Sequence, residues 1–345
     1  MRALLKKAEP GATLTELNAP EPGPGEALLR VMACSVCGTD LHLYRWDAWA
    51  RGRVHPPLVF GHEMSGQVVA LGPGAEGVKV GDHVSAETHL SCGHCLQCRT
   101  GRRHICQKLR IVGVDAPGIF SEYAVLPTEN LWVNDQNLPW EIATLQEPFG
   151  NAVYTVMDGP GVSGKTVLIT GCGPIGLMAI LVARACGASL IIASDPSPRR
   201  LELARRLGAD LALDPREDSV VKSVMDATRG DGADALLEFS GNTSALRQGL
   251  QALTYGGQAN LLGIPESRVE LDLAQEVIFK AVTLRGITGR RVFETWYQVR
   301  ELVVSGRVDL RPLISHQVPI GRYQEVFEAA LHGEAIKPVL FPQER

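Results

Sequence analysis

Four cysteines close together carry the most readable chemistry in this chain: Cys92, Cys95, Cys98 and Cys106, spaced C-x2-C-x2-C-x7-C. Four thiolates that near in sequence can close a tetrahedral, all-sulfur zinc site with no open position, so the metal there would stabilise a loop. An iron–sulfur cluster competes for the same soft ligands, and zinc is the reading adopted. His94, inside the loop, reads as a surface residue. A second group is Cys37-Gly-Thr-Asp-Leu-His42 together with Gly61-His62-Glu63. A catalytic zinc needs a few protein ligands and one exchangeable position, and Cys37 and His62 offer a soft and an imidazole ligand from separate loops. Taken alone, either would read as a core residue. Glu63 stands beside them as a third candidate ligand, or as the partner of a buried arginine.

The third group is Thr170-Gly-Cys-Gly-Pro-Ile-Gly176, which follows an apolar run and opens a helical pattern. Gly171, Gly173 and Gly176, with Ile175, give the tight turn and close backbone approach that a pyrophosphate needs at a helix N-terminus. Asp195 lies about 20 residues further on, where an acid binds the adenosine ribose hydroxyls and repels a 2′-phosphate, which favours NAD over NADP. Arg200 is a candidate for the adenine face. Leu262, Gly263 and Ile264, and Ile287 and Thr288, end later strands and are candidate nicotinamide-side contacts.

These groups need elements to position them. From Lys165 to Ile287, β-branched runs alternate with helical stretches, the signature of a parallel sheet covered by helices. Strands are expected at Thr166–Thr170, Leu190–Ser194, Leu211–Leu213, Asp234–Phe239, Gln258–Leu262 and Val282–Ile287. Helices are expected at Pro174–Cys186, Pro198–Leu207, Ser219–Thr228 and Ser244–Leu253. Residues 1–150 hold more than half of the 21 prolines and short strand-like runs such as Glu26–Ala33 and Glu63–Leu71, which favours an irregular β-rich domain. After Gly289 come a helix at Glu294–Ser305 and a strand at Pro338–Phe341, too little to fold alone, so residues 290–345 are expected to return to the first domain.

Composition narrows the function classes. The chain has 345 residues, 45% hydrophobic and 21% charged, with a formal charge of -4. No basic stripe marks a nucleic-acid surface. The most apolar window, Val167 to Ala183, is broken by the glycine turn, which argues against a membrane span. The first residues lack an apolar run long enough for a secretory signal, so the protein is expected in the cytoplasm, where eight cysteines would not form disulfides. Cys34, Cys172 and Cys186 read as small buried hydrophobes.

In order and spacing, C-G-T-D-x-H, G-H-E, the four-cysteine loop and G-x-G-P-I-G resemble the zinc-containing medium-chain dehydrogenases along essentially the whole chain. The resemblance implies an α/β protein: a Rossmann doubly wound parallel sheet at 151–289 plus a β-rich GroES-like catalytic domain at 1–150. It also implies NAD and two zinc ions per chain, one catalytic and one structural. Cys37 and His62 fall on the family's ligand positions, and Glu147 falls on a third that is Cys in some members. A carboxylate there could bind the metal directly, act through water, or exchange with Glu63. The family's proton relay, a hydroxyl two residues after the ligand Cys and then a His, falls on Thr39 and His42.

His42-Leu-Tyr-Arg-Trp-Asp-Ala-Trp49, Glu147-Pro-Phe-Gly-Asn-Ala152 and Phe293-Glu-Thr-Trp-Tyr297 resemble the members that act on L-threonine. That implies oxidation of L-threonine at C3 to 2-amino-3-oxobutanoate. An amino-acid substrate carries an ammonium and a carboxylate, for which Glu147, His89 and Arg290 are candidates. The alternatives are a polyol or secondary-alcohol dehydrogenase, and a non-catalytic zinc and nucleotide binder on the same fold. A homotetramer is implied, assembled partly by pairing of edge strands through Val282–Ile287.

Overall fold

Thr166–Thr170, Leu190–Ser194 and Ala233–Glu238 are short apolar runs buried almost throughout, as strands covered on both faces must be. In the computed structural model, which describes residues 1–265 and 267–344, they form the middle of a six-stranded parallel sheet. Its order is Leu211–Leu213, Leu190–Ser194, Thr166–Thr170, Ala233–Glu238, Leu253–Leu261, Thr283–Gly286. The order reverses at Thr166–Thr170, the kind of switch point at which such sheets bind ligands. Helices Pro174–Ala185, Pro198–Arg206, Val220–Ala227 and Thr243–Ala252 alternate with the strands, each close to its expected place. Ser219 and Asn242 cap the last two by accepting hydrogen bonds from backbone amides. Leu168, Ile192, Leu236, Val224, Leu246 and Leu250 share one buried core.

The second unit is β-rich and discontinuous. The chain divides into Phe149–Asp309 and a unit made of Met1–Pro148 with Leu310–Arg345. Its main sheet runs Leu131–Val133, His83–Ala86, Glu63–Leu71, Glu26–Ser35, Lys337–Phe341, Ile314–Pro319, with Tyr123–Pro127 also paired to Glu26–Ser35. Phe60, Phe120 and Phe327 meet edge to face in its core, their ring centroids 5.0–6.0 Å apart.

The return to this unit differs from the expectation, beginning at Leu310 instead of residue 290. The helix at Glu294–Val304 stays with the parallel-sheet unit because its approach is anchored there. Arg290, 1% exposed, packs against Gly150 and reaches Asn151 Oδ1 at 3.3 Å, and its guanidinium lies 5.8 Å from the buried Trp296 ring. Arg291 adds an ion pair to Asp158 at 2.5 Å. What returns is a strand at Ile314–Pro319, a helix at Tyr323–Leu331 and the strand Lys337–Phe341.

Candidate metal centres and dinucleotide site

Antiparallel pairing sets Ser35 opposite Glu63, and Val339 opposite Ser35. Three strand ends therefore meet at one edge of the sheet. Cys37 lies two residues past the end of Glu26–Ser35, His62 one residue before Glu63–Leu71, and Lys337 begins Lys337–Phe341. Gly61 makes the turn into His62 at φ +86°, with the Phe120 ring 2.5 Å from where a Cβ would sit, so no other residue fits. Donor atoms of Cys37, His62 and Glu63 all lie within 4.8 Å of one another.

The surroundings fit a cation. Asp40, fully buried, accepts from the Cys37 amide at 2.9 Å and brings its other oxygen to 3.6 Å from His62 Nδ1. A carboxylate so placed would fix the orientation of the ring were it to bind a metal. Burial raises the Asp40 carboxyl to about 6. Burial disfavours a charged His62 ring, yet Asp40, Cys37 and Glu147 outweigh it and raise His62 well above its ordinary value. That surplus of negative charge is what a divalent ion would balance. Among the described residues Glu63 pairs with a lysine and not an arginine: its carboxylate accepts from Ser35 Oγ and from Lys337 Nζ at 2.6 Å, and Lys337 also donates to the Val36 carbonyl at 3.0 Å. Glu147, in the first turn of Gln146–Met157, is buried and accepts from Thr88 Oγ1 at 2.8 Å.

Helix Gly38–Arg45 starts at Cys37 and carries Thr39, half-buried in its first turn, and His42, exposed in its last. His42 Nδ1 lies 2.5 Å from Asp47 Oδ2. His89 turns Nδ1 toward the buried Glu87, 3.2 Å away.

The second metal group is the cysteine loop. Sγ separations are 3.5 Å for Cys95–Cys98, 3.8 Å for Cys95–Cys106 and 4.0 Å for Cys92–Cys98. A tetrahedron with zinc–sulfur bonds of about 2.3 Å has edges of about 3.8 Å. Backbone amides of Cys98 and Gln107 hold the Cys95 thiol down to about 6, the thiolate form a metal requires. His94 Nδ1 turns to the Cys92 carbonyl at 2.6 Å, on the exposed surface.

In the parallel-sheet unit, Gly171 has φ +88° and Gly176 packs so closely that a Cβ would lie 1.9 Å from the Gly171 carbonyl. Gly173 caps helix Pro174–Ala185, with Pro174 at its first position and nothing within 4 Å of a Cβ, an open backbone cradle of the kind a pyrophosphate occupies. Ile175 follows in the first turn. Asp195, 3% exposed, accepts from the amides of Cys172 and Ser197, both at 2.8 Å, and Arg200 Nη1 lies 3.7 Å away. The acid thus also braces the glycine turn. Leu262 and Gly263 donate to the Glu238 carbonyl, both at 3.0 Å. Ile264 and Thr288 are exposed and Ile287 is buried.

Residues 23–135 match the family model of the alcohol dehydrogenase GroES-like domain, and residues 174–305 that of zinc-binding dehydrogenases. The chain belongs to the zinc-dependent medium-chain dehydrogenase family. Within it, the chain is 52% identical to the L-threonine 3-dehydrogenase of Pyrococcus horikoshii, over 98% of both chains. It is 46% identical to that of Bacillus subtilis, over 99% of both. Among solved structures, an alcohol dehydrogenase from Thermus sp. ATN1 superposes with a TM-score of 0.92 at 31% identity, covering 99% of each chain. The 2R,3R-butanediol dehydrogenase of Bacillus subtilis gives 0.90 at 30%, again covering 99% of each.

Lys337, Asp40, Asp47 and Glu238 are not picked out by sequence reading. A lysine heading the otherwise apolar run Lys-Pro-Val-Leu-Phe341 and an acid three residues after Cys37, where a capping box places one, are the cues that were present.

Proposed function

We propose that this protein oxidises L-threonine at C3 to 2-amino-3-oxobutanoate with NAD, using zinc held by Cys37 and His62 beside Glu63 and Glu147. The carrying observation is 52% identity, over nearly the full length, to an L-threonine 3-dehydrogenase in a chain that keeps the Cys37–His62–Glu63 cluster together. When bound, the two groups supply Lewis acidity toward an alcohol hydroxyl and a hydride acceptor. Asp40 orients His62, and Cys92, Cys95, Cys98 and Cys106 hold the structural zinc. Thr39 and His42 pass the hydroxyl proton toward water. Gly171, Gly173, Ile175, Gly176, Asp195 and Arg200 take the pyrophosphate and adenosine, and Leu262, Gly263, Ile264, Ile287 and Thr288 take the nicotinamide side.

Glu147 is the candidate for the substrate's ammonium and His89 for its carboxylate, while Arg290 is committed to Gly150, Asn151 and Trp296 within the other unit. The test is NADH absorbance with L-threonine, butane-2,3-diol and sorbitol. L-threonine should have the highest kcat/KM, and faster turnover of either polyol would overturn the substrate. Glu147→Gln should harm threonine oxidation more than diol oxidation, since zinc and NAD chemistry are common to both. No helix among the described residues is long and apolar enough to cross a membrane. A cytoplasmic homotetramer is the assembly proposed, supported by the edge position of Thr283–Gly286 and the exposed Ile278 and Phe279 near it in sequence.

A further inference from the structure

Helix Gly38–Arg45 ends abruptly at Trp46, which takes a left-handed conformation at φ 55° and ψ 47° and closes its amide on the His42 and Leu43 carbonyls. A bulky side chain rarely adopts it, and here the indole is buried with the Lys6 ammonium 5.1 Å from its ring. The reversal lays Asp47 alongside His42, with Oδ2 2.5 Å from Nδ1. The other oxygen, Oδ1, accepts from the Ala50 amide at 3.0 Å and caps helix Ala48–Arg53. One carboxylate thus serves two elements, and it cannot swing away from the imidazole without uncapping the helix. The imidazole is about half exposed, 53% by side chain.

A neutral imidazole carries one proton, and the partner of one nitrogen decides which nitrogen holds it. We propose that Asp47 is the positioning residue of the proton relay: it keeps the proton on His42 Nδ1 and so presents Nε2 as the acceptor. This rests on the reading of His42 as the relay's outer station. A proton taken at Nε2 makes the ring cationic with Asp47 as counter-ion, and the same proton then leaves Nε2 for water. Asp47 stays ionised throughout. Burial works against that charge, and the Ala50 amide and His42 outweigh it, holding the Asp47 carboxyl below its usual range. The other charges nearby are engaged elsewhere or lie on the helix itself. Arg51 donates to the Trp46 carbonyl, Arg53 pairs with Asp115, and Glu328, on the helix packed against this one, bonds to the Tyr44 hydroxyl. Arg45 and the buried Asp40 are on the His42 helix.

Asp47→Asn separates this role from capping, because Asn caps a helix as well as Asp. Its amide would donate to Nδ1 and move the ring proton to Nε2. The first measurement is the tautomer of the neutral His42 ring, read from the imidazole nitrogen-15 chemical shifts of the histidine-labelled, zinc-loaded protein, assigned by comparison with H42A. The ring proton should sit on Nδ1 in the parent and on Nε2 in D47N, and the melting temperature should match the parent's. The second is the kcat–pH profile: D47N should lower turnover several-fold, and D47N/H42A should be no slower than H42A. An unchanged tautomer overturns the proposal, as does a double variant whose losses multiply. A moved ring proton with an H42A kcat–pH profile parallel to the parent's overturns the relay reading instead, and with it the catalytic use of Asp47.

Discussion

Replacing Lys337 with Met removes the cation that answers Glu63 where neither side chain meets water, their exposures being 2% and 0%. The parent ammonium makes a 2.6 Å bond to Glu63 Oε1 and a 3.0 Å bond to the Val36 carbonyl. Methionine fills similar space but offers no donor, so a carboxylate left with Ser35 and one backbone carbonyl lose their partner together. Stripping one member from a buried ion pair costs about 3–5 kcal/mol. For a unit of this size each kcal/mol moves the melting temperature by about 2–4 °C, so a fall of about 10 °C is expected. Calorimetry of the zinc-loaded protein measures it. The decisive companion is Glu63→Gln/Lys337→Met, which removes both charges and should recover more than half of the loss, because the cost lies in the orphaned charge. A loss below about 1 kcal/mol for K337M, or a double variant whose losses simply add, would refute the ion-pair argument.

Cys98→Ser should remove one zinc per chain by metal analysis and lower the melting temperature before it lowers turnover, since four thiolates leave no open coordination position; intact stability with lost activity would contradict the structural role. Asp195→Gly should raise the NADPH-to-NADH affinity ratio, read by fluorescence titration, and weaken NADH as well, because the carboxylate also braces the Cys172 and Ser197 amides. An unchanged ratio places discrimination elsewhere. Burial lowers the His83 imidazole from 6.5 to about 4, so the unfolded chain takes up this proton at a higher pH than the folded one. The neutral ring's contribution is therefore complete above about pH 6.5 and lost progressively as pH falls toward 4. His83→Phe, which keeps a ring beside Trp140, should make the fall in melting temperature between pH 7 and pH 5 shallower; an equally steep fall would clear His83.

Periodicity made the parallel sheet legible, because strands buried on both faces read as solid apolar runs and the helices between them repeat at 3.6 residues. The β-rich unit is less so: Ile314–Pro319 has only one buried position, Val318, and no alternation to announce it. Cys37, His62 and the four cysteines are visible through residue type and local spacing. Lys337 is not, since 274 positions separate it from Glu63 and only strand register brings them together. The place of Glu294–Val304 was equally hidden. Its allegiance depends on Arg290 filling the space above Gly150, where a Cβ would lie 2.6 Å from the arginine's Cδ.

The discontinuous unit also sets an order of events during synthesis. Every residue of Phe149–Asp309 has been made before Leu310 appears, so that unit can fold while its neighbour still lacks two strands and a helix. The cysteine loop, complete by Cys106, can take its metal early. The Cys37–His62 centre cannot mature at that stage, because the ammonium that neutralises Glu63 arrives on Lys337–Phe341. A nascent chain would hold an exposed, over-anionic pocket until that last strand pairs alongside Cys34 and Ser35. Catalytic competence in this fold therefore waits on the synthesis and docking of Lys337–Phe341.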